Sequence, residues 1–593
     1  MAESVNLRRA GNYQGAAVCN RRINKRRLQS AAPWVRYFGG LSLGRINNYR
    51  SVGLRRPRRE SDHEMSNFLQ SACDGVVIRS QVAVAPCAKS WGPWILAATI
   101  LGSSLAFIDG TVVNVALPSL QTRLGATVID VQWVVEAYSL MLSAFLLMGG
   151  ALGDRYGRRR IFLIGVVLFS LASGWCGAAA NVQQLILARA VQGIGAALLV
   201  PGSLAIISAS FSEENRGRAI GTWSGFTAIT AAIGPVMGGW LIEHVSWRAV
   251  FFINLPLAVI VLVISFYRVP ESRDDKENRR LDWFGATIAT ISLGSLVYGL
   301  IESSRLGFDH AAVLTALFVG GFLLLVFLFV EARVNNPMLP LALFRSRDFA
   351  GANLVTLFLY SALGGTLFFL PLNLIQVQRF SPTAAGAALL PFILIMFFLS
   401  RWSGGLVQHY GAKLPLVVGP MIAAIGFALF MVPDVGADYW SKFFPATVVL
   451  GIGMAVSVAP LTTTVMNAVP RNRVGIASGI NNAVSRAAGL LAIAVLGIVM
   501  LNVFDRSLEQ RLSNVELPGA ARKYLHDQRI NLAAASLPRE VSPATRDMLR
   551  KAIDESFVQG FRRVMLIGAA LAAASGIASL LFISVRPKPS HDL

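Results

Sequence analysis

Five Asp, Glu, Lys or Arg side chains fall inside the long apolar stretches of this 593-residue chain: Asp109, Glu136, Arg189, Arg401 and Arg486. A charge facing lipid costs several kcal/mol, so each must meet a neighbour or an aqueous cavity, as a functional group or as a fastener between helices. At a rise of about 1.5 Å per residue, Asp109 lies roughly 8 Å below the outer edge of a hydrocarbon core about 30 Å thick. Glu136 and Arg189, on runs of the opposite direction, lie about 8 and 9 Å below that same edge. Two carboxylates and one arginine thus share a level on the first, second and fourth runs. Burial favours a neutral carboxyl and a nearby arginine favours a charged one. A movement that changes the contact with Arg189, or the access of water, would therefore load and release a proton. Glu136 is a second proton site, a counter-ion for a cationic substrate, or a structural partner of Arg189. Arg486, near mid-membrane, is placed to attract an anionic group or to pair with a carboxylate, while Arg401 sits toward the end of its run and can snorkel. Trp133, Tyr138, Trp223, Phe226, Phe368 and Phe369 either line an apolar cavity or pack as ordinary interior and interfacial aromatics.

Positioning these groups takes helices that cross a bilayer. Only 15% of the residues are charged, against about 25% in soluble domains, so most of the chain faces a solvent that penalises charge. Apolar runs of about the twenty residues that span a membrane recur from Trp94 onward: six within 94–267, two within 283–330 and six within 350–585. Lipid-exposed backbone must satisfy its own hydrogen bonds, which makes these runs helices. The alternating segments of a β-barrel do not occur. The expected class is an all-α membrane protein with 14 transmembrane helices.

The net charge of +22 would suggest nucleic acid on a soluble domain. Here residues 1–64 hold fourteen Lys and Arg against four Asp and Glu, a net +10. Much of the rest lies in short loops, where positive charge marks the cytoplasmic side. No nucleic-acid partner is expected. Residues 1–90 read as a basic, disordered cytoplasmic leader, and Met65 is an alternative start that would leave 1–64 untranslated. Arg155, Arg158, Arg159 and Arg160 follow the second run, Arg216 and Arg218 the fourth, Arg345 and Arg347 the eighth, Arg471 and Arg473 the twelfth. All fall on one side when both termini are cytoplasmic. The long outer loop, 505–563, is polar and mixed in charge; His526 and its carboxylates have no metal-site spacing. Cys19, Cys73, Cys87 and Cys176 form neither a CxxC pair nor a His-flanked cluster, so they imply no zinc and no disulfide framework.

The chain also repeats itself. GALGDRYGRR at 150–159 aligns with GGLVQHYGAK at 404–413, GIGAALLVP at 193–201 with GIGMAVSVAP at 451–460, and RAIG at 218–221 with GIASG at 475–479. Two six-helix halves, 94–267 and 350–585, would flank an inserted pair at 283–330. Repeated halves around a mid-membrane site are the architecture of a secondary transporter.

GALGDRYGRRR at 150–160 resembles the loop signature of the major facilitator superfamily. Gly150, Gly153 and Gly157 permit a tight turn and close helix approach, and Asp154 can pair with Arg155, Arg158, Arg159 or a helix N-terminus to latch a cytoplasmic gate. FIDGTVVNVALP at 107–118, LILARAVQGIGAA at 185–197 and GTWSGFTAITAAIGPVMGG at 221–239 narrow the likeness to the fourteen-helix drug:proton antiporter branch of EmrB/QacA type. SWRAVFFINLP at 246–256 and NPMLPLALF at 336–344 fit the same branch. In the third of these signatures Gly234, Pro235, Gly238 and Gly239 provide a kink and close packing. The resemblance covers 94–585 and implies a coupling role for Asp109 and Arg189. Two departures stand out: Gln408 and His409 replace Asp154 and Arg155 in the second half, and Thr230 sits where the signature often has glycine.

The combined reading is a proton-coupled antiporter of the inner membrane that exports drugs or other small amphiphilic compounds. Its coupling ion is the proton and it needs no cofactor; no GxxxxGK[ST] loop for ATP is present. The alternatives are an importer or uniporter on the same fold, and a non-transporting membrane receptor or enzyme working through 505–563. A further use of that loop is docking a periplasmic adaptor protein in a cell with an outer membrane.

Overall fold

The computed structural model describes residues 91–273, 282–334, 337, 339–470, 473–513, 517–538 and 541–584. The expected leader, with Cys19, Cys73 and Cys87, lies outside the described residues, as do the side chains of Arg218, Arg401 and Gln408.

The N-terminal half is α1 (Gly92–Leu124), α2 (Val128–Tyr156), α3 (Arg158–Ala178), α4 (Val182–Ser210), α5 (Glu213–His244) and α6 (Asn254–Arg268), the last entered through a short turn at Ala249–Phe252. The inserted pair is α7 (Trp283–Leu306) and α8 (Ala311–Arg333). The second half holds α9 (Arg347–Leu372), α10 (Leu390–Tyr410), α11 (Lys413–Leu429), α12 (Phe444–Asn467), α13 (Val474–Leu512) and α14 (Pro543–Phe582). Among the described residues twelve helices are long and apolar enough to cross a membrane, and α11 is a shorter apolar one.

Local sequence accounts for where these helices start and bend. Thr127 caps α2 through a reciprocal box: its hydroxyl accepts from Asp130 N, and the Asp130 carboxylate accepts from Thr127 N at 2.8 Å. Asn181 caps α4 by accepting from Gln184 N at 2.9 Å. Prolines lie inside α1, α4, α5, α9, α11 and α12, at membrane depths where neighbouring helices can re-satisfy the freed carbonyls. After Pro371 the end of α9 relaxes into a π turn at Asn373–Val377, a distortion that often marks a working site.

Within the first half α4 packs against α2 and α3, and α1 against α5; in the second, α12 lies against α10 and α11, and α14 against α9 and α11. The halves meet where α2 faces α13, where α1 faces α9, and where α5 meets the short helix Pro382–Ala387 that leads into α10. The pair α7–α8 packs on itself and leans, through α7, on α2 and α13. Its second member is the least enclosed span, with Phe318, Leu325 and Phe329 all at least 60% exposed, as suits a helix bathed in lipid.

The expected outer loop at 505–563 is largely helical in the described residues. It comprises the last two turns of α13, a helix Gly519–Gln528, a 3-10 turn Arg529–Ala534 and the first five turns of α14. Leu508, Leu512, Leu525, Leu532, Leu549 and Ile553 are buried in the same apolar core as the spans. The polar composition concealed this because only one face of each segment is apolar.

Candidate functional site

Arg189 and Gln192 stand three residues apart on one face of α4, opposite Asp109 of α1. Arg189 Nη1 donates to Asp109 Oδ2 at 2.5 Å and to Gln192 Oε1 at 2.7 Å, and Gln192 Nε2 donates to Asp109 Oδ1 at 2.9 Å. The ring is closed: each carboxylate oxygen has a donor, and the guanidinium spends a further hydrogen on the Val134 carbonyl of α2 at 3.1 Å. Its flat face covers the Tyr138 ring, 4.2 Å from guanidinium carbon to centroid. Asp109 and Arg189 are 0% and 1% exposed. Charge-assisted bonds of this kind are what make a buried ion pair tolerable.

Glu136 is also fully buried, yet it stands apart from this ring. Neither of its oxygens has a hydrogen-bond partner among the described residues. On α2 it shares a face with Gln132, which donates to the Ile493 carbonyl of α13 at 3.3 Å, and with Leu140, which packs beside Leu490 and Ala494 of the same helix. Val134 and Tyr138, two residues to either side, turn toward Arg189. The three charges on one level therefore divide: two form a pair inside the first half, and the third faces the second half. The sequence reading missed Gln192 as the third member of the ring, although an amide inside the apolar run that carries Arg189 is itself a costly residue needing an explanation.

A cavity of about 1050 Å³ lies between the halves. Its walls come from α2 (Leu147, Gly150), α4 (Pro201, Leu204) and α13 (Ser478, Asn482). Of the seven candidate lining residues, Trp223 and Arg486 are on the wall. Trp223 is fixed by donating to Ser103 Oγ at 3.0 Å. Phe107, two residues before Asp109, also lines the cavity and was not anticipated. Tyr138 lies under Arg189 instead, Trp133 turns to α7, where it donates to Glu302 at 3.3 Å, and Phe368 and Phe369 are core residues. Phe226 is 52% exposed on the outside of α5.

One end of the cavity carries the loop between α2 and α3. There Arg158 Nε donates to Asp154 Oδ1 at 2.8 Å, and Arg155 covers the Tyr156 ring. Gly157 has φ +110°, a conformation that strains any side-chain-bearing residue, and a Cβ there would also push the Glu271 carboxylate from its place. Glu271 accepts from the backbone N–H groups of Arg159 and Arg160 at 3.1 and 3.2 Å, capping the positive end of α3. Lying between runs, it carried no signal in the sequence. Asp154 and Arg155 belong to the cavity wall together with Arg345 and Arg473.

At the opposite end the halves touch. Gly234 and Gly238 press on Thr111 and Val112 of α1, while a Cβ on Gly239 would lie 2.3 Å from the Pro382 carbonyl oxygen. Reciprocally, a Cβ on Gly386 would lie 2.1 Å from the Pro235 carbonyl oxygen. The glycine signature of α5 thus has two faces: Gly234 and Gly238 let α5 close on α1 within the first half, and Pro235 and Gly239 meet the backbone of the second half. Two polar links reinforce the contact between halves: Gln376 Nε2, on the π turn after α9, donates to Gln121 Oε1 of α1 at 2.7 Å, and Thr383 N donates to Glu243 at 3.3 Å.

Comparison with known proteins agrees with this geometry. The profile described as Major Facilitator Superfamily matches residues 99–493. The chain is 33% identical over 490 residues to the multidrug resistance protein Stp of Mycobacterium tuberculosis (strain CDC 1551 / Oshkosh), covering 81% of this chain and 89% of that one. It is 30% identical over 515 residues to the tetracenomycin C resistance and export protein of Streptomyces glaucescens, covering 86% and 95%. In fold it is similar to the crystal structure of a bacterial homologue of the human lysosomal transporter Spinster, inward-facing and unoccupied, with a TM-score of 0.61 at 18% identity over 85% of this chain and 100% of that one.

Proposed function

Because the chain belongs to the major facilitator superfamily, we propose that it exports drugs or other small amphiphilic compounds across the cytoplasmic membrane in exchange for protons. It is a multi-pass integral membrane protein, and a transporter rather than an enzyme. The observation that carries the coupling is the closed Asp109–Arg189–Gln192 ring, buried in the first half beside a drug-sized cavity between the halves. The resistance and export functions in the names of its relatives support the direction of transport.

In this reading α5 and α11 join the twelve helices that are long and apolar enough to span, giving fourteen crossings. With both termini cytoplasmic, the arginines near Asp154 fall on the cytoplasmic side and the cavity faces inward. A compound enters from the cytoplasm or inner leaflet. The halves then rock about the cavity, opening the glycine contact at the outer end and closing the end that carries Asp154. A proton arriving at Asp109 from outside neutralises the carboxylate and loosens its hold on Arg189. Glu136, facing α13, is the second carboxylate of the cycle. No cofactor enters; the proton is the coupling ion.

The test is a proteoliposome assay with an imposed pH gradient and a pH-sensitive dye inside. Wild-type protein should release protons when an amphiphilic substrate is added, and Asp109→Asn should bind substrate but release none. Full proton-driven export by Asp109→Asn would overturn the coupling assignment, and transport indifferent to the gradient would make the protein a uniporter.

A further inference from the structure

The chemistry of the substrate is written in the charge that faces the cavity, and the argument rests on the export reading above. Ser478, Asn482 and Arg486 follow one another at helical spacing along α13 and all line the cavity. Arg486 stands thirteen residues beyond Arg473, roughly 20 Å along the helix. Arg473, Arg345 and Arg155 line the cavity near the loops, together with Asp154, Asp282 and Glu331, so four arginines meet three carboxylates in its wall. Among the described residues Arg486 has no ion pair and no hydrogen bond; the groups within its electrostatic reach are two neutral phenols, Tyr138 and Tyr360. The walls opposite are aromatic and aliphatic, with Phe107, Leu147 and Trp223 among them. A guanidinium held among apolar walls without a counter-ion is costly, and a ligand that brings an anion recovers much of that cost. A cationic ligand at the same place adds repulsion.

A second, independent feature points the same way. Among the described residues the Tyr138 hydroxyl is buried with no hydrogen-bond partner, and Arg486, Asp109 and Arg189 all lie within its electrostatic reach. Its ring lies under the Arg189 guanidinium, so the field of Arg486 falls on a residue packed against the ring proposed for coupling.

We propose that the cavity takes amphiphilic monoanions, an aromatic body bearing a carboxylate, phenolate or enolate, whose acidic group sits on the Arg486 guanidinium while the body lies against Phe107, Leu147 and Trp223. A planar carboxylate matches the two-pronged donor of arginine. An anion bound there also reaches the coupling ring through Tyr138, so arrival of substrate is felt where the proton is held.

The test uses a matched fluorescent pair, anthracene-9-carboxylate and anthracene-9-carboxamide, with ethidium as a cation, on the full-length protein. Binding is read by tryptophan quenching in detergent, and export by proteoliposomes under a pH gradient. The acid should bind about 10- to 100-fold tighter than the amide, the range expected for a charge-assisted contact. Arg486→Gln should abolish that difference while leaving amide binding in place, and Arg486→Lys should keep part of it. A residue that merely held α13 in position would weaken acid and amide alike. Equal binding of acid and amide by wild type, binding of neither, or an acid preference that survives in Arg486→Gln would each overturn the proposal. Proton-driven export of ethidium alone would also overturn it while leaving the drug-export reading intact; absence of proton-driven export of any probe, with acid selectivity retained, would strike the export reading and spare the anion site.

Discussion

A buried ion pair is a poor source of net stability and a severe liability once broken, because the survivor is left charged and unpaired. Asp109 and Arg189 meet that description, both enclosed, bound directly to each other and bridged by the Gln192 amide. Arg189→Gln should therefore lower unfolding stability by about 3 kcal/mol, and Asp109→Asn by a similar amount, whereas the double variant should lose less than the sum. Thermal unfolding of the four proteins in detergent checks this; additive losses would mean that the two side chains do not act as a pair. Glu136 makes the opposite case. With neither oxygen partnered among the described residues, Glu136→Gln breaks no ion pair and should cost clearly less stability than Arg189→Gln while abolishing substrate-induced proton release. A strong loss of stability instead would make Glu136 a fastener. Asp109 and Arg189 were legible because charge inside an apolar run is rare and helical rise gives its depth. Their separation from Glu136 was not legible, since depth along a helix says nothing about which way a side chain faces until the neighbours are known: two residues along α2 turned Glu136 from Arg189 toward α13.

At the scale of elements, the spans were readable because lipid demands long apolar helices, and the outer segment was not, because water-facing helices mix charges with their leucines. α13 has 39 residues, roughly 58 Å at the usual rise, against a core about 30 Å thick; its final turns must stand outside the membrane, where they meet the start of α14. That meeting is fastened by the ion pair between Arg511 and Glu555, while Asp554, which takes Arg379 at 2.8 Å and Arg550 of its own helix at 3.0 Å, ties α14 to the link after α9. The glycine signature of α5 was legible as close packing, but its partner was not, since the contact joins elements more than 140 residues apart. Gly239→Ala puts a methyl where the Pro382 carbonyl already lies, and so should pry open the outer end. With a single cysteine at Gln376 as reporter, labelling by a membrane-impermeant maleimide should quicken severalfold over the same reporter in the parent. Unchanged labelling would remove this contact from the gate. At the other end, Glu271→Ala removes the cap of α3 and should cost about 1 kcal/mol; a Glu271→Ala variant as stable as wild type would show that the two backbone bonds add nothing.

For the whole molecule, the two ends of the cavity are unequal in a way that makes alternating access testable. At the Asp154 end the cavity separates arginines of the first half (Arg155) and of the second (Arg345, Arg473), and Asp154 is engaged within its own half by Arg158. At the other end two backbones touch, and Gln376 reaches across to Gln121. The second half has Gln408 and His409 in place of Asp154 and Arg155, so the proposed electrostatic latch would be built on one half only. If transport proceeds by rocking, tying the outer contact shut should trap the protein with its cavity open at the Asp154 end. Cysteines replacing Gln121 and Gln376, joined by a short bifunctional thiol reagent, would make that tie. The joined protein should bind substrate with wild-type affinity and transport none, and cutting a reducible linker should restore transport. Transport that persists through the joined state would mean that the path does not pass between α1 and α9. Loss of binding along with transport would mean that the cavity between the halves is not where substrate waits. Retained binding with reversible loss of transport is the outcome alternating access requires, because the cavity is walled by both halves and the tie lies at the contact away from Asp154.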